Sequence, residues 1–162
     1  TCTLRTALIE TRLAFQPVAL ETFRDEMFGA NPYRQRRAKL MLEIFNTGSP
    51  VVDIPYPVQA LRFGSDFAIL FMSGEVVVDY ALRVKREHPG IDLIVAGYSN
   101  EVQCYIPSLR VLNEGGYEAD ESMVYYGLPG PFTKEVEETV FAAVAAVFRE
   151  IGIAPTSSRG EQ

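Results

Sequence analysis

The sequence has no tryptophan, a single histidine and only two cysteines, and these scarcities exclude several kinds of site. His88 alone does not provide the set of imidazoles found in most catalytic zinc centres. Cys2 and Cys104 define neither a disulfide framework nor a cysteine-based zinc site. No apolar stretch approaches the roughly 20 residues of a membrane span, so no transmembrane helix is predicted.

The chain also lacks an excess of positive charge. It has 15 Lys and Arg residues against 21 Asp and Glu residues, which gives a formal net charge of −6. Nucleic acid is therefore not an expected partner, because binding to phosphates requires a basic face. The hydrophobic content of 48% and the charged content of 22% are those of an ordinary globular domain.

The length of 162 residues fits one domain with a sizeable core. We predict a single α/β domain over residues 1–155, followed by a polar tail at residues 156–162. The sequence opens directly in strand-like residues without an initiating methionine, which indicates a portion of a longer polypeptide.

Alternating apolar residues predict a long strand over residues 3–15, followed by a short helix over 19–28. A second helix is predicted from Pro32 to Asn46, because asparagine at position 31 is a preferred N-cap and proline favours the first turn. Its core-facing residues are predicted to be Leu40, Met41, Ile44 and Phe45. Its basic residues are interpreted as a solvated face rather than an anion site; they are Arg34, Arg36, Arg37 and Lys39.

The middle of the chain predicts a mixed sheet. Residues 54–63 and 67–72 are strands joined by a short turn, so they should be antiparallel. A helix over 75–88 and a strand over 92–97 should then form a right-handed parallel crossover. The predicted fold class is therefore α/β, a mixed sheet with flanking helices. The two prolines of the first strand, Pro55 and Pro57, indicate an edge or irregular entry.

The last third is predicted to hold a short helix over 107–113, a structured loop over 118–131 and a long amphipathic helix over 133–151. Gly152 is the predicted C-cap of that helix. Its apolar stripe consists of Val136, Val140, Ala143, Val144, Val147, Phe148 and Ile151.

Polar residues follow the two strands that should be parallel, and ligands of α/β sheets gather at such strand ends. Gly74 and Glu75 follow the first of these strands, and Tyr98 and Asn100 follow the second. Two interpretations of Glu75 stay open on the residues alone. Its carboxylate either stabilises the N-terminus of the next helix or coordinates something in the crevice. Tyr105 and Tyr117 are likewise either aromatics at the edge of the core or site residues.

The exact residues resemble the neutral/alkaline non-lysosomal ceramidase family over about residues 58–126. The resemblance rests on Gly74 and Glu75, the Tyr98-Ser-Asn loop, the Tyr105-Ile-Pro-Ser motif and the Tyr117-Glu-Ala motif. It implies that Glu75 and Tyr105 are zinc ligands and that Tyr117 lies in the substrate site. Ser73 stands where the family often has proline, and Pro107 replaces a usual threonine.

The resemblance implies zinc-assisted hydrolysis of a lipid amide such as ceramide to a fatty acid and an amine. In the family, two zinc-binding histidines come from the first half of the catalytic domain, so the expected partner of this chain is that missing half. We expect zinc in the full-length protein, little zinc binding and no activity in this chain alone, and a secreted or periplasmic location. The alternative is a non-catalytic α/β module that binds an apolar ligand or a protein partner.

Overall fold

The computed structural model describes residues 2–154, and the predicted polar tail lies outside that range. The strands are β1 (Leu4–Ala14), β2 (Asp53–Phe63), β3 (Phe67–Met72), β4 (Glu75–Val76), β5 (Asp92–Ala96) and β6 (Tyr105–Ile106). The α-helices are α1 (Leu20–Glu26), α2 (Pro32–Asn46), α3 (Val78–Glu87), α4 (Leu109–Glu114), α5 (Met123–Tyr126) and α6 (Val136–Glu150). One π-helical turn covers Tyr117–Glu121.

The predicted mixed sheet is confirmed. Four strands are hydrogen-bonded in the order β1-β2-β3-β5. The β1–β2 and β2–β3 pairs are antiparallel, whereas β3 and β5 are parallel and place Ile69 opposite Ile94. Helix α3 connects β3 to β5, as expected for a parallel crossover. The first and third strands of the sheet therefore end at the same edge as β5.

The prolines of β2 lie where the strand has one neighbour. Strand β3 pairs only with Val58–Phe63, while β1 pairs with the whole of β2 and sets Pro55 opposite Arg12. Proline lacks the amide hydrogen that a second neighbour would require. The predicted edge-like entry of this strand is thus confirmed.

One face of the sheet carries the main core. Helix α6 packs against β1 and β2, and all seven residues of its predicted apolar stripe are buried. They meet inward-facing residues of β2 and β3 such as Val58 and Leu70, which are fully buried. Burial of such side chains contributes on the order of 1.5–3 kcal/mol each.

Helices α1 and α2 form a smaller core of their own, centred on Phe23, Ala38 and Met41. The prediction that Leu40 and Phe45 face the core is wrong, since they are 42% and 48% exposed. The side of α2 that packs on α1 is instead the one that carries Ala38 and Met41, one helical turn apart. Asn31 caps α2 as predicted, because its side chain accepts hydrogen bonds from the amides of residues 33 and 34.

The interpretation of the basic residues of α2 as a solvated face is wrong for Arg37. This side chain is only 5% exposed and forms an ion pair with Glu26 of α1. Arg34 reaches the same carboxylate at 2.9 Å from a more exposed position. Arg36 donates a hydrogen bond to the carbonyl of Tyr125 at 2.7 Å and joins α2 to α5.

The prediction of a loop over residues 118–131 is also wrong for its first half. The π-helical turn and α5 occupy residues 117–126, anchored by the buried side chains of Ala119 and Met123. Glycines with positive φ bound this segment, Gly116 at 91° and Gly127 at 70°. Helix α4 starts two residues later than predicted, because Ser108 caps it by accepting a hydrogen bond from the amide of Val111.

Within residues 2–154, no helix has both the length and the apolar character needed to cross a bilayer.

Candidate functional site

Glu75 lies in a strand and not at the start of a helix. Strand β4 pairs in parallel with β6, and Glu75 is the direct partner of Tyr105. The amide of Glu75 donates to the carbonyl of Cys104 at 2.9 Å, and the helix begins only at Val78. The predicted helix over 75–88 is therefore wrong at its N-terminus, and Glu75 does not serve as the charge at the first turn.

Gly74 makes this pairing possible. Its φ of 73° lies in the left-handed region, and a Cβ atom there would stand 2.7 Å from the carbonyl oxygen of Cys104. Its amide donates to the carbonyl of Glu101 at 2.8 Å. Only glycine combines a positive φ with the absence of a Cβ atom, and any side chain here would push β6 away from β4. The glycine thus fixes the distance between the two strands that carry Glu75 and Tyr105.

The preceding residue, Ser73, connects the end of β3 to the segments beside it. Its side chain is fully buried, and its hydroxyl lies 2.9 Å from the carbonyls of both Pro57 and Ser99. A buried hydroxyl with such partners joins β2, β3 and the loop after β5 into one unit. The serine that departs from the resembled family's usual proline therefore has a structural role here.

The loop after β5 has unusual backbone geometry. Tyr98 and Asn100 both have positive φ, at 52° and 65°, although neither is glycine. Hydrogen bonds hold this conformation, since the amide of Tyr98 donates to Gly74 at 2.8 Å and that of Ser99 donates to Met72 at 3.1 Å. Left-handed non-glycine residues are costly and concentrate at functional sites.

This loop brings the phenol of Tyr98 to Glu75. Hydrogen bonding to the Glu75 carboxylate raises the pKa of Tyr98 to about 12. The same interaction raises the pKa of Tyr105 well above its ordinary value. Both shifts have the same largest cause, because the neutral phenol donates to the carboxylate whereas a phenolate would be repelled by it; burial adds to each. Glu75 is thus the acceptor at the centre of two neutral tyrosines.

Tyr98 was missed as a site residue in the sequence. Alternation and spacing place Tyr98 in the loop after a strand but give no sign that its side chain lies near Glu75. Tyr98 also has a positive φ, which the sequence pattern does not reveal. An aromatic residue directly after Gly97 at the end of a parallel strand was the available signal.

Further tyrosines extend the site across the surface. The ring of Tyr117 lies edge-on to that of Tyr105 with centroids 5.6 Å apart, and Tyr125 is 6.2 Å from Tyr117. Tyr33 of α2 follows at 4.8 Å from Tyr125. Burial and the nearby Glu75 carboxylate raise the pKa of Tyr126. The structure therefore places Tyr117 beside Tyr105, at the start of a row of partly exposed aromatic rings.

Contacts with α3 hold strand β6 and the residues after it in place. Ile106 is fully buried, and the hydroxyl of Tyr80 donates to the carbonyl of Pro107 at 2.9 Å. Asp79 accepts hydrogen bonds from Ser108 and Arg110, and the Arg110 guanidinium is the main reason that the pKa of Asp79 is lowered. Helix α3 and the start of α4 therefore fix the position of Tyr105.

The atoms at the site that could coordinate a metal are the oxygens of a carboxylate and two phenols. Oxygen ligands bind zinc and other divalent ions. Among residues 2–154, no group of three or more His, Cys, Asp or Glu side chains converges on a point. His88 lies at the C-terminal end of α3 with its Nδ1 2.9 Å from the carbonyl of Val84 and its ring edge-on to Phe148. A carboxylate beside two phenols offers oxygen atoms that could form at most one part of a metal site.

Cys104 precedes Tyr105 but is fully buried. Burial raises the pKa of its thiol to about 12. A neutral buried thiol is a poor nucleophile, so the chemistry of the site rests on Glu75 and the tyrosines.

A separate apolar cavity of about 300 Å³ lies between the α1–α2 pair and the start of β2. It is lined by residues that include Phe15, Val18, Phe23, Met41 and Val52. None of the tyrosines described above lines it. The cavity is thus distinct from the strand-end site.

Comparisons with protein-family models, with curated proteins and with solved structures find no match to this chain.

Proposed function

We propose that this chain forms the C-terminal part of the catalytic domain of a zinc-dependent amide hydrolase that resembles neutral ceramidases. The observation that supports the proposal is the direct pairing of Glu75 with Tyr105 in the β4–β6 ladder. The resemblance in sequence assigns these two residues to one metal, and they are neighbours in space although they lie far apart in the chain.

In this proposal Glu75 and Tyr105 would be two of the ligands that hold a zinc ion. The resemblance implies that two imidazoles from outside this chain would be the other protein ligands. When bound, zinc supplies a water of lowered pKa and polarises the amide carbonyl. Hydrolysis breaks the amide C–N bond, so that the hydroxyl of water goes to the acyl carbon and the proton to the amine.

Tyr117 is proposed to assist this reaction. The support is that its ring packs edge-on against that of Tyr105. A neutral phenol at that position donates a hydrogen bond to the oxyanion that forms on the acyl oxygen. Tyr98 has a different role, because its hydrogen bond to Glu75 keeps the carboxylate oriented.

The test is an assay of the polypeptide encoded by the complete gene with a fluorescent ceramide, with and without zinc. We expect zinc-dependent release of the fatty acid, lost in Glu75→Ala and reduced about 10²–10³-fold in Tyr117→Phe. Tyr33→Phe is the matched control, since Tyr33 belongs to the same aromatic row but contacts Tyr125 rather than the Glu75 pair. Unchanged turnover in Glu75→Ala would reject the assignment.

The 162-residue chain alone is expected to be inactive in the same assay. It offers a carboxylate and phenols but no converging imidazoles among residues 2–154. Zinc-dependent turnover by this chain, abolished by Glu75→Ala, would show instead that it carries a complete site.

The alternative function is a non-catalytic module that binds an apolar ligand. The specific observation in its favour is the cavity of about 300 Å³, a volume at the lower end of ordinary ligand sites. Binding of a fluorescent fatty acid that is weakened by Phe23→Trp or Met41→Trp, which fill the cavity, would support this function. Equal binding by the variants and the wild-type chain would reject it.

A further inference from the structure

Glu75 is a partly buried carboxylate that forms no ion pair within the part of the chain that the structure describes. Glu26, which is also partly buried, has such a partner in Arg37. The groups that donate to Glu75 are neutral phenols, because hydrogen bonding to its carboxylate raises the pKa of Tyr98 and of Tyr105. Its negative charge therefore has no cation beside it among the described residues, and it attracts one from solution.

The hydrogen bonds around Glu75 leave acceptors for a ligand that carries N–H donors. A carboxylate accepts up to about four hydrogen bonds, and Tyr98 and Tyr105 supply one each. Because their hydrogens are directed at Glu75, both phenol oxygens keep lone pairs that accept further hydrogen bonds. A primary ammonium group has three N–H donors and no acceptor, so its hydrogen-bonding capacity matches what the site offers.

The turn that carries Tyr117 adds negative charge to the same surface. Glu118, Asp120 and Glu121 lie in this turn, are exposed and form no ion pair within the described ranges. Water and salt screen such exposed charges, but all three act in the same direction as Glu75. The surroundings of Glu75 thus favour a cation and disfavour an anion.

An aromatic row leads away from Glu75 and consists of Tyr105, Tyr117, Tyr125 and Tyr33, in that order. Adjacent rings are tilted against each other by 74°, 46° and 59°, and the last three tyrosines are 45–49% exposed. Rings at such angles form no flat platform for the stacking of a sugar or a nucleic-acid base. Their exposed surface suits a flexible alkyl chain, and the face of a tyrosine ring also attracts an ammonium ion. A bare metal ion would use none of this surface.

The two arginines at the far end of the aromatic row are already engaged. Arg34 pairs with Glu26 at 2.9 Å, and Arg36 donates to the carbonyl of Tyr125 at 2.7 Å. Both arginines lie on α2 next to Tyr33, which is the end of the row away from Glu75. A ligand whose cationic group lies at Glu75 therefore presents only its uncharged part to them.

We propose that Glu75 and the aromatic row form a binding site for an alkylammonium ion, with the ammonium group at Glu75 and the alkyl chain along the tyrosine rings. The ammonium donates to the Glu75 carboxylate and to the oxygens of Tyr98 and Tyr105. The chain packs on Tyr117 and then on Tyr125. This site goes beyond the proposed hydrolase, because it requires neither zinc nor any residue from outside this chain.

The experiment is a titration of the 162-residue chain at pH 7 with octylammonium chloride below the concentration at which it forms micelles. Binding is followed by NMR of ring-labelled tyrosine. Octanol and octanoate are the matched ligands, since they have the same chain length with no charge or a negative charge. The tyrosine signals distinguish this site from the apolar cavity of about 300 Å³, because no tyrosine lines that cavity.

We expect octylammonium to bind at least about tenfold more tightly than octanol, because only the ammonium pairs with Glu75. Octanoate should not saturate the tyrosine signals. Butylammonium should bind at least about tenfold more weakly than octylammonium, since it leaves most of the aromatic row uncovered. Octanol that binds as tightly as octylammonium would overturn the proposal, and equal binding of butylammonium and octylammonium would overturn the placement of the chain.

Two variants that each remove one negative charge locate the ammonium group. Glu75→Gln should reduce the affinity for octylammonium to within about twofold of that for octanol. Glu150→Gln is the matched control and should leave the affinity unchanged. Glu150 ends α6, near Gly152, which Arg62 joins to Ser65 at the edge where β3 begins, and Glu75 lies at the opposite edge. Undiminished binding in Glu75→Gln would overturn the proposal.

A third variant tests the aromatic row without touching the carboxylate. Tyr125→Leu keeps an apolar side chain on the surface but removes one ring, and it should weaken octylammonium by about threefold or more while leaving butylammonium unchanged. Equal affinities of this variant and the wild-type chain for octylammonium would reject the row as the place of the alkyl chain.

These titrations use this chain alone and do not depend on turnover, so their outcome is independent of the ceramide assay. Binding of octylammonium together with no zinc-dependent hydrolysis by the complete polypeptide would retain this site and reject the proposed enzyme. Hydrolysis together with no binding of octylammonium would reject this site and retain the enzyme.

Discussion

Glu75 and Tyr105 are opposite residues in a parallel ladder only two residues long. The ladder continues neither β3 nor β5 but forms a second, separate sheet at the edge where those strands end. This short ladder brings a carboxylate and a phenol together. Its backbone hydrogen bonds fix the positions of both residues.

The first prediction concerns the ionisation of Tyr98. Hydrogen bonding to Glu75 raises its pKa from 10.0 to about 12. A raised pKa means that this bond stabilises the fold fully below about pH 10, and that the stabilisation is lost as the pH rises through about 12. We expect Glu75→Gln to lower the pKa of Tyr98 toward 10, because the amide carries no charge.

The measurement is an NMR titration of tyrosine labelled at the ring carbon that bears the hydroxyl, with Tyr98→Phe to assign the signal. Tyr33 provides an internal reference on the same surface, since its ring contacts Tyr125 and not Glu75. If Tyr98 titrates at the same pH in wild type and Glu75→Gln, the carboxylate is not its hydrogen-bond acceptor.

The second prediction concerns Gly74. Gly74→Ala should destabilise the chain by about 2–5 kcal/mol, the sum of about 1–2 kcal/mol for a left-handed residue and about 1–3 kcal/mol for the clash. Gly48→Ala is the control, because Gly48 has a similar φ of 78° but an added Cβ would meet nothing within 4 Å. In urea unfolding, Gly48→Ala should lose only the roughly 1–2 kcal/mol of a left-handed residue. Equal losses for the two variants would show that the contact with Cys104 is not tight.

The sheet could be predicted from the sequence because its signals are strong and repeated. The short turn predicts the antiparallel β2–β3 pair, and the crossover length predicts the parallel β3–β5 pair, and the structure has both. The alternation predicts that β1 is a strand but does not predict its pairing with β2. The stripe of α6 is equally regular, with a residue such as Val140 or Val147 at every turn. Where a pattern repeats over many residues, tertiary contacts rarely overrule it.

The site could be predicted only in part, because it depends on contacts between distant segments. Glu75 was placed in a helix since nothing nearby in the sequence shows that β6 pairs with it. Tyr98 is missed because its interaction is with Glu75, a residue from another segment, and its positive φ has no signal in the sequence. The burial of Arg37 likewise depends on Glu26 of another helix, which a local helical pattern does not reveal.

The third prediction concerns that ion pair. Arg37 and Glu26 have side chains that are 6% and 10% exposed, and Arg37 also lies over the ring of Phe23. Arg37→Met should cost about 3 kcal/mol in unfolding free energy, because Glu26 stays buried with a weaker partner. Arg34→Met is the matched control. It removes the other ion pair of Glu26, but from a side chain that is 45% exposed, and should cost at most about 1 kcal/mol. A smaller loss for Arg37→Met than for Arg34→Met would contradict the role assigned to burial.

The last prediction compares two buried phenols in the core beneath the site. Tyr80 and Tyr56 are both fully buried. The hydroxyl of Tyr80 donates to the carbonyl of Pro107, whereas that of Tyr56 has no hydrogen-bond partner among residues 2–154. Tyr80→Phe leaves a buried carbonyl without its donor and should cost about 1–2 kcal/mol. Tyr56→Phe removes a polar atom that makes no bond and should be neutral or stabilising by up to about 1 kcal/mol.

Urea unfolding of the two variants gives the comparison directly, since each deletes a single oxygen atom from the same core. Tyr80→Phe should also loosen β6, because Pro107 directly follows that strand. The amides of Glu75 and Val77 donate to the carbonyls of Cys104 and Ile106, so their hydrogen exchange should become faster. Tyr56→Phe should leave those amides unchanged. The position of Tyr105 would not depend on the hydrogen bond from α3 if Tyr56→Phe accelerated this exchange. The same conclusion would follow if Tyr80→Phe left the exchange rates unchanged.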